Sequence, residues 1–462
     1  MAGPEQDTDV WRILLFGRSG AELLVLRSAL GFRLPELHIP RCQRVAPNLN
    51  AAAKRLWNLD TVCLLPLKLS HDDQTVATCK YHVMEVCKPE ELARIAPNFA
   101  QMSTLSEAAF ADSWDYAAVR QGMALETVSV NEDHDPFSRF GAVERISAWV
   151  EDQLPPLGLR LNHEFQQLQA FTSFALIRFS TSHDALWFKA VGEPNLREFP
   201  ITRLLAARHP QYMPEVLAVR AEWNAWLARE ACGHGLYDSL DLAAWCRAAE
   251  SLAELQIASL PHAPDFLTAG AHDVRPSTLL DLVGPYFSMA EQIMHAQTKT
   301  TVRRLAKEEI SEVRDRVSEA LRELAESGIP NALNHLDLNP CNVVVSPGKV
   351  TFLDWAEAGV GNPFFSAEYL RKHFQRTFSP LSEDEQKFRE SYQSPWKPIL
   401  GRESTERFWH FVPLAAAFAF AVSAIPWNEP KLSHQPELAS YSRSLIRHMH
   451  RESKQIKASR AA

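Results

Sequence analysis

An α+β fold is predicted by three observations on this 462-residue chain. Runs of β-branched and aromatic residues crowd two stretches, residues 10–86 and 165–230. From residue 240 onward nearly every segment repeats its apolar residues at helical spacing. One hairpin signal, Val343-Val344-Val345, then Ser346-Pro347-Gly348-Lys349, then Val350-Thr351-Phe352-Leu353, interrupts that helical half. The length exceeds one core, and about 150 residues per domain predicts two or three units. The reading is an α/β domain over residues 1–130, a linker over 131–141, a β-rich lobe over 142–230 and a helical lobe over 231–462.

In the first region, residues 10–16 and 22–27 read as strands around Gly17-Arg18-Ser19-Gly20, and residues 32–39 alternate polar with apolar before Pro40. A helix follows over 48–59, where Ala51-Ala52-Ala53 and Leu56 are good helix formers. Strands over 61–69 and 81–86 and helices over 89–96 and 106–121 close the region. This order faintly resembles a Nudix hydrolase. The box of that family needs an Arg-Glu-x-x-Glu-Glu cluster, whereas the equivalent stretch here is Lys54-Arg55-Leu56-Trp57-Asn58-Leu59. Without carboxylates there is no Mg²⁺ site, so a Nudix-like domain here is expected to be catalytically silent and to sense a ligand or mediate assembly. Arg41, Arg44, Lys54 and Arg55 either grip an anion or form a solvated charged face.

Asn131-Glu132-Asp133-His134-Asp135-Pro136 is polar, acidic and ended by proline, as a linker should be. A helix over 142–154 follows, with Val143, Ile146, Trp149 and Val150 on one face, and Pro155-Pro156-Leu157-Gly158 stops it. Strands are predicted over 165–168, 175–179, 186–191, 214–219 and 224–230, with a helix opening at Arg197-Glu198-Phe199. The turn between the first two strands, Gln169-Ala170-Phe171-Thr172-Ser173-Phe174, contains no glycine.

Helices are predicted over 240–258, 277–295, 300–327, 364–374, 382–392, 405–424 and 436–451, with a frayed basic tail over 451–460. The hairpin carries the chemistry. It is preceded by Asn334-His335-Leu336-Asp337-Leu338-Asn339-Pro340-Cys341-Asn342 and followed by Asp354-Trp355. Asp337 and Asn342 therefore stand at the entrance of one strand and Asp354 at the exit of the other. Two carboxylates and an amide oxygen are hard ligands that suit Mg²⁺, with substrate phosphates completing the shell.

His-x-Asp-x-x-x-x-Asn followed by an Asp on the next strand resembles the catalytic loop and metal-binding Asp of protein kinases. Asp354-Trp355 and the later Gly359-Val360-Gly361-Asn362-Pro363 bring it closer to the aminoglycoside phosphotransferase and choline kinase family. Leu336 stands where that family usually has Gly, and Asn339 where it often has His. The resemblance covers about residues 140–450 and implies a two-lobed protein-kinase-like fold, with a small β-rich lobe and a large helical lobe.

It also implies roles. Asp337 is the catalytic base that accepts or orients the proton of an acceptor hydroxyl. Asn342 and Asp354 hold Mg²⁺, with Glu357 as an acidic neighbour. Trp187-Phe188-Lys189 resembles the family's lysine strand, so Lys189 reaches the ATP phosphates and Glu198 fixes it. Ser173 supplies a hydroxyl and an N–H at the phosphate turn. The segment from Leu227 to Arg229 is the hinge that reads the base edge through its backbone. His335 packs inside the loop rather than reacts.

The implied activity is an ATP-dependent small-molecule kinase. The alternative is a non-catalytic kinase-like regulator or scaffold that binds nucleotide, suggested by the glycine-free turn and Leu336. The acceptor hydroxyl is left open, as are ATP against GTP and the oligomeric state. Asp281 and Glu291 are candidate acceptor contacts, but their spacing equally fits a solvated helix.

A formal charge of −8 argues against a general nucleic-acid binder, which carries a basic patch. The seven cysteines show no C-x-x-C pair, and the first residues show no basic and apolar leader pattern. No uncharged apolar run reaches the roughly 18 residues that a spanning helix needs. The nearest, residues 411–426, reads as a buried helix, and the expectation is a cytoplasmic protein that does not engage a membrane.

Overall fold

A computed structural model describes residues 8–17, 22–41, 43–71, 75–76, 80–88, 99–101, 105–127, 139–171, 174–380, 382–401, 409–429, 432 and 435–460. Residues 1–199 with 215–230 form one compact unit, and residues 200–214 with 231–462 form another.

The first unit contains two large sheets, with two short two-stranded ones, Leu26–Ser28 with Gly31–Arg33 and Ser70–His71 with Thr75–Val76, beside them. Strands β1 (Thr8–Phe16), β2 (Glu22–Leu24), β3 (Glu36–Pro40), β4 (Thr61–Leu67), β5 (Lys80–Val86) and β6 (Phe99–Gln101) make the first, in the order β6-β2-β1-β5-β4 with β3 also on β1. Strand β1 runs parallel to β5. Helix α1 (Val45–Trp57) lies between β3 and β4 in sequence and buries Ala46, Leu49, Ala52 and Ala53. Asn58 ends it in the left-handed conformation at φ 54°, one residue before the sequence-predicted end. The alternating stretch expected over 32–39 breaks at Pro35, whose carbonyl accepts from Ile13 N at 2.9 Å. Helix α2 (Ser113–Thr127) starts later than expected because a short 3₁₀ turn occupies Glu107–Ala109. The helix expected over 89–96 and most of the linker lie outside the described residues.

Helix α3 (Ala142–Gln153) leads to the second sheet of β7 (Leu161–Phe171), β8 (Phe174–Thr181), β9 (Ala185–Val191), β10 (Val216–Arg220) and β11 (Ala225–Arg229), in the order β7-β8-β9-β11-β10. Helix α4 (Glu198–Arg208) opens between β9 and β10. The two sheets share one apolar cluster that runs from Leu14 and Val62 through Ile146 to Ile177, Phe188 and Leu227. A polar clasp joins them as well. Gln167 of β7 accepts from Cys63 N and donates to Cys63 O, both at 2.8 Å, as an extra ladder partner for β4.

The second unit is helical around two three-stranded sheets. Strand β12 (His234–Gly235) precedes α5 (Leu242–Ser259), which is capped by the Asp241 side chain accepting from Ala243 N. Helix α6 (Ala263–Thr268), strand β13 (His272–Val274), α7 (Pro276–His295) and α8 (Lys307–Ala325) follow. Helix α8 begins seven residues after its expected start. Glu309 accepts from Ala306 N at 2.9 Å and pairs with Arg303, which holds its carboxyl at a pKa of about 2 and fixes the helix start there. Next come β14 (Ala332–His335), the hairpin β15 (Val343–Ser346) and β16 (Lys349–Phe352), and β17 (Ala358–Gly361). Helices α9 (Phe364–Thr377), α10 (Glu383–Gln393), α11 (Val412–Ser423) and α12 (Pro436–Arg460) complete it. The basic tail is not frayed within these bounds, because α12 continues through Arg460, with Glu452 buried against Lys372.

The five-stranded sheet with its lysine strand and helix, and the helical unit with its inserted hairpin, make up a mixed α+β architecture. Among the described residues no helix is long and apolar enough to cross a membrane.

Candidate active site

Backbone pairing builds the loop that carries Asp337. Strand β17 lies between β13 and β14, so His335 pairs with Ala358 and Gly361 with Val274. A Cβ on Gly361 would lie 2.3 Å from Val274 O, which is why glycine is required. Leu336 N donates to Glu357 O, after which the chain turns: Asn339 N donates to Asp337 O and Asn342 N to Asn339 O, both at 2.7 Å. The Asn339 side chain accepts from Cys341 N, so it caps a short 3₁₀ turn over Pro340–Asn342. Leu336 is not among the residues with positive φ and is buried, so the position does not demand glycine.

His335 is fully buried, and its ring centroid lies 4.7 Å from that of Trp355. Its Nε2 donates to Leu353 O at 2.8 Å, and burial lowers its pKa so that it stays neutral. The ring is therefore a structural strut between the two halves of the motif. Leu353 N donates to Asn342 O at 2.8 Å, and Asn342 Nδ2 donates to Asp337 O at 3.1 Å. These bonds tie Asp337, Asn342 and the start of Asp354 into one constellation. Asp354 itself is left-handed at φ 62°, a conformation costly for a non-glycine residue and concentrated at functional sites.

The donor chemistry fits a hard cation. With Nδ2 engaged by Asp337 O, the Asn342 side chain offers its oxygen, and Asp354 offers a carboxylate. Among the described residues no group of three or more His, Cys, Asp or Glu forms a metal cluster. Two protein oxygens supplemented by substrate phosphates is the arrangement that Mg²⁺ accepts.

Three side chains that sequence reasoning missed surround Asp337. Tyr369 of α9 donates its hydroxyl to Asp337 Oδ1 at 2.8 Å. Burial, then the charge of Asp337, raises the Tyr369 pKa, so it remains a donor. Tyr441 of α12 has a raised pKa from burial and from the charges of Asp337 and Glu357. His373, one turn beyond Tyr369, is neutralised by burial against the pull of Asp337. The helices were legible, but which turn faces the loop depends on packing such as Tyr369 against Phe420, with centroids 5.8 Å apart. Glu357 Oε2 lies 3.3 Å from His272 Nε2. Asp281 is exposed on α7, and Glu291 pairs with Lys307 at 3.6 Å.

In the first unit, Lys189 Nζ donates to Glu198 Oε1 at 2.5 Å, with side-chain exposures of 12% and 2%. The ammonium also lies 5.4 Å from the Phe174 ring centroid and 5.7 Å from that of Trp226. Ser173 and Thr172 lie outside the described residues. Leu227 is fully buried, and it pairs with Phe188. Arg229 donates its N–H to Glu215 O at 2.9 Å, and its guanidinium pairs with Glu215 and Asp184. Of the cations in the first region, Lys54 pairs with Asp60 and Arg41 with Asp9.

Residues 191–385 match the family described as "Phosphotransferase enzyme family", a span that takes in Glu198, Leu227, Arg229, Asp337, Asn342 and Asp354. The matched span is 195 residues long and is similar to that family over less than half of the chain. The chain thus carries an enzyme of the small-molecule phosphotransferase class. No curated protein matches it. Among solved structures it is similar to macrolide 2′-phosphotransferase MphH from Brachybacterium faecium at 17% identity and a TM-score of 0.43, covering 66% of this chain and 98% of that one. A choline kinase from Cryptosporidium parvum Iowa II is 15% identical with a TM-score of 0.48, over 69% of this chain and 97% of that one. Spectinomycin phosphotransferase APH(9)-Ia, solved with ADP and spectinomycin, is 14% identical with a TM-score of 0.42, over 67% and 98%.

Proposed function

We propose that this phosphotransferase moves the γ-phosphate of ATP to a hydroxyl group of a small molecule. The observation that carries the reading is the constellation in which Asn342 Nδ2 bonds Asp337 O, Leu353 N bonds Asn342 O and Tyr369 holds Asp337 Oδ1. Phosphoryl transfer asks a protein for positioning and charge neutralisation more than for covalent chemistry. Asp337 accepts the proton of the acceptor hydroxyl as that oxygen bonds the γ-phosphorus and the β–γ bridging oxygen departs with ADP. The proton then passes from Asp337 to solvent. Asn342 and Asp354 would hold Mg²⁺, which supplies neutralisation of phosphate charge when bound. Lys189 adds a fixed positive charge toward the phosphates and Glu198 sets its direction. By the family resemblance Ser173 would serve the phosphates, and Leu227 and Arg229 would border the base. The first region, whose α1 carries no acidic residue, takes no part in the chemistry.

The test is ADP release from MgATP across a broad panel of small hydroxyl compounds. Asp337→Ala should lower turnover by about 10²–10⁴-fold, the range for losing a general base. Asp354→Ala should abolish the Mg²⁺-dependent turnover. Turnover that survives both changes intact refutes the reading. A second reading is favoured by the phosphate turn, which has no glycine and includes the 41%-exposed Phe171. A nucleotide-binding regulator predicts MgATP binding with no ADP release across the whole panel.

A further inference from the structure

The last turn of α7 and the loop after it collect positive charge that no described carboxylate neutralises. Arg443, Arg447 and Arg451 are spaced four residues apart on α12, so they form one stripe along that helix. Arg443 Nη1 donates to Ile293 O at 3.4 Å, and Arg304 Nη1 donates to His295 O at 3.4 Å. Arg447 donates to Arg303 O at 3.3 Å, to the Met294 sulfur at 3.9 Å and to Gln297 Oε1. The loop is built around that glutamine. Gln297 Nε2 donates to Lys299 O and to Val302 O, both at 2.7 Å, while its Oε1 takes the Arg447 N–H. Residues 297–302 are thereby fixed against α12, with Lys299 and Arg304 exposed.

The charges do not balance. Among the described residues the partners of Arg304, Arg443 and Arg447 are carbonyls, an amide and a thioether, and Arg451 is exposed. Glu309, the acidic side chain at the start of α8, is taken up by Arg303 through both oxygens at 2.8 Å and by Ala306 N. A helix C-terminus carries only about half a negative charge, so the end of α7 offsets a small part of this cluster. Burial, then the charges of Arg443 and Arg451, lowers the Arg447 pKa, which marks the three as mutually repelling neighbours. In a chain with a formal charge of −8 such a crowd of unmatched guanidinium groups is a local exception. It is also separate from the catalytic loop. Tyr441, which senses the charges of Asp337 and Glu357, is two residues before Arg443 and so about 200° around the helix.

We propose that this cluster is an anion site that binds a soluble phosphate-bearing ligand against α12 and the 297–304 loop. The planar fork of each guanidinium matches phosphate oxygens two at a time. Phosphate suits the cluster better than a carboxylate, because it brings nearly two charges and three acceptor oxygens to several forks at once. The Gln297 bonds hold the loop in place beforehand, so little ordering is left for the ligand to impose.

The experiment is calorimetric titration of the full chain with sodium pyrophosphate in EDTA at constant ionic strength, beside Arg304→Glu and Arg451→Glu. Both side chains are exposed and neither bonds Gln297, so the variants should melt as wild type does. Should either reversal unfold, the neutral Arg451→Gln carries the same test. Wild-type protein should bind one pyrophosphate, and each reversal should weaken it by about ten- to a hundredfold, the worth of a hydrogen bond between charged groups. Asp354→Ala should bind it as wild type does. No binding by wild type overturns the proposal. Binding that survives both reversals also overturns it, and binding lost in Asp354→Ala does so by placing the anion at the catalytic loop. Binding to phosphatidylcholine vesicles containing phosphatidic acid, with none to pyrophosphate, overturns the soluble ligand and assigns the cluster to a membrane surface.

Discussion

Removing one partner of the Lys189–Glu198 pair should cost far more than removing both. Glu198 is 2% exposed in its side chain and Lys189 is 12% exposed, so the charges sit largely out of water at 2.5 Å from each other. Glu198→Gln takes the carboxylate away from an ammonium in that setting, beside the ring faces of Phe174 and Trp226 at 5.4 and 5.7 Å. Cation–π contacts supply about 0.5–2 kcal/mol, whereas breaking a buried pair from one side costs about 3–5 kcal/mol. A net loss of about 2–4 kcal/mol is therefore expected for the single change. Lys189→Met should cost a similar amount, because it strands a buried carboxylate. The double variant replaces the charged pair by a neutral one of similar volume and should recover most of the loss. The measurement is urea unfolding of the four proteins, with the interaction energy taken from the cycle. Additive losses, with a coupling below about 0.5 kcal/mol, would show that the two charges do not depend on each other, and the bracing role of Glu198 would fall with them. MgATP affinity read on the same proteins should fall in all three variants, the double variant included, because its stability recovers and its positive charge does not.

Three further outcomes follow from the same geometry. Tyr369→Phe deletes one hydrogen bond to a carboxylate, worth about 1.5–3 kcal/mol, so ADP release should slow by about ten- to a hundredfold with little change in melting temperature. Wild-type turnover in that variant would mean that Asp337 is oriented without it. His82 is buried with a pKa of about 4, below the 6.5 of the unfolded chain, so the unfolded state takes up its proton first as pH falls. Stability from this group is complete above pH 6.5 and drains away down to about pH 4, by roughly 3 kcal/mol in all. His82→Gln should flatten the stability–pH curve in that window, and an unaltered slope there would refute the assignment. Gly361→Ala forces a Cβ to within 2.3 Å of Val274 O, so strand β17 must shift. Loss of about 3 kcal/mol or more is expected by thermal unfolding, and a variant as stable as wild type would show that the strand yields freely.

The parts of the site that lie next to each other in sequence were legible, because local hydrogen bonds fix their arrangement. His335, Asp337, Asn342 and Asp354 span one turn and one hairpin, and their spacing alone prescribes the bonds through Asn339, Asn342 and Leu353. Lys189 and Glu198 are separated by a strand end and a helix start, which sets their pairing almost as firmly. Tyr369, His373 and Tyr441 were hidden because they come from helices whose rotation is set by packing, not by any motif. Strand β17 was hidden for a different reason. Ala358–Gly361 has two glycines and little β-branched content, so it pairs as a strand only because β13 and β14 flank it on both sides. Two departures from the family pattern also change meaning. Leu336 needs no glycine, since it keeps a negative φ and packs with its Cδ1 3.1 Å from the Cβ position of Gly359. The Asn339 side chain serves as a cap on Cys341 N, a local role that the residue type fills by itself.

The first region shows where pattern-reading stops. Its strands were predictable from alternation, but nothing local announced that Gln167, far along the chain, would bond both backbone groups of Cys63. A single buried amide thus makes the edge of one sheet continuous with the other. Its Oε1 also accepts from Asn50 Nδ2 at 3.2 Å, which draws α1 into the same joint. Three groups on two elements therefore converge on one side chain, and both backbone groups of Cys63 would lose a buried partner without it. The joint ties the first region directly to the sheet that presents Lys189.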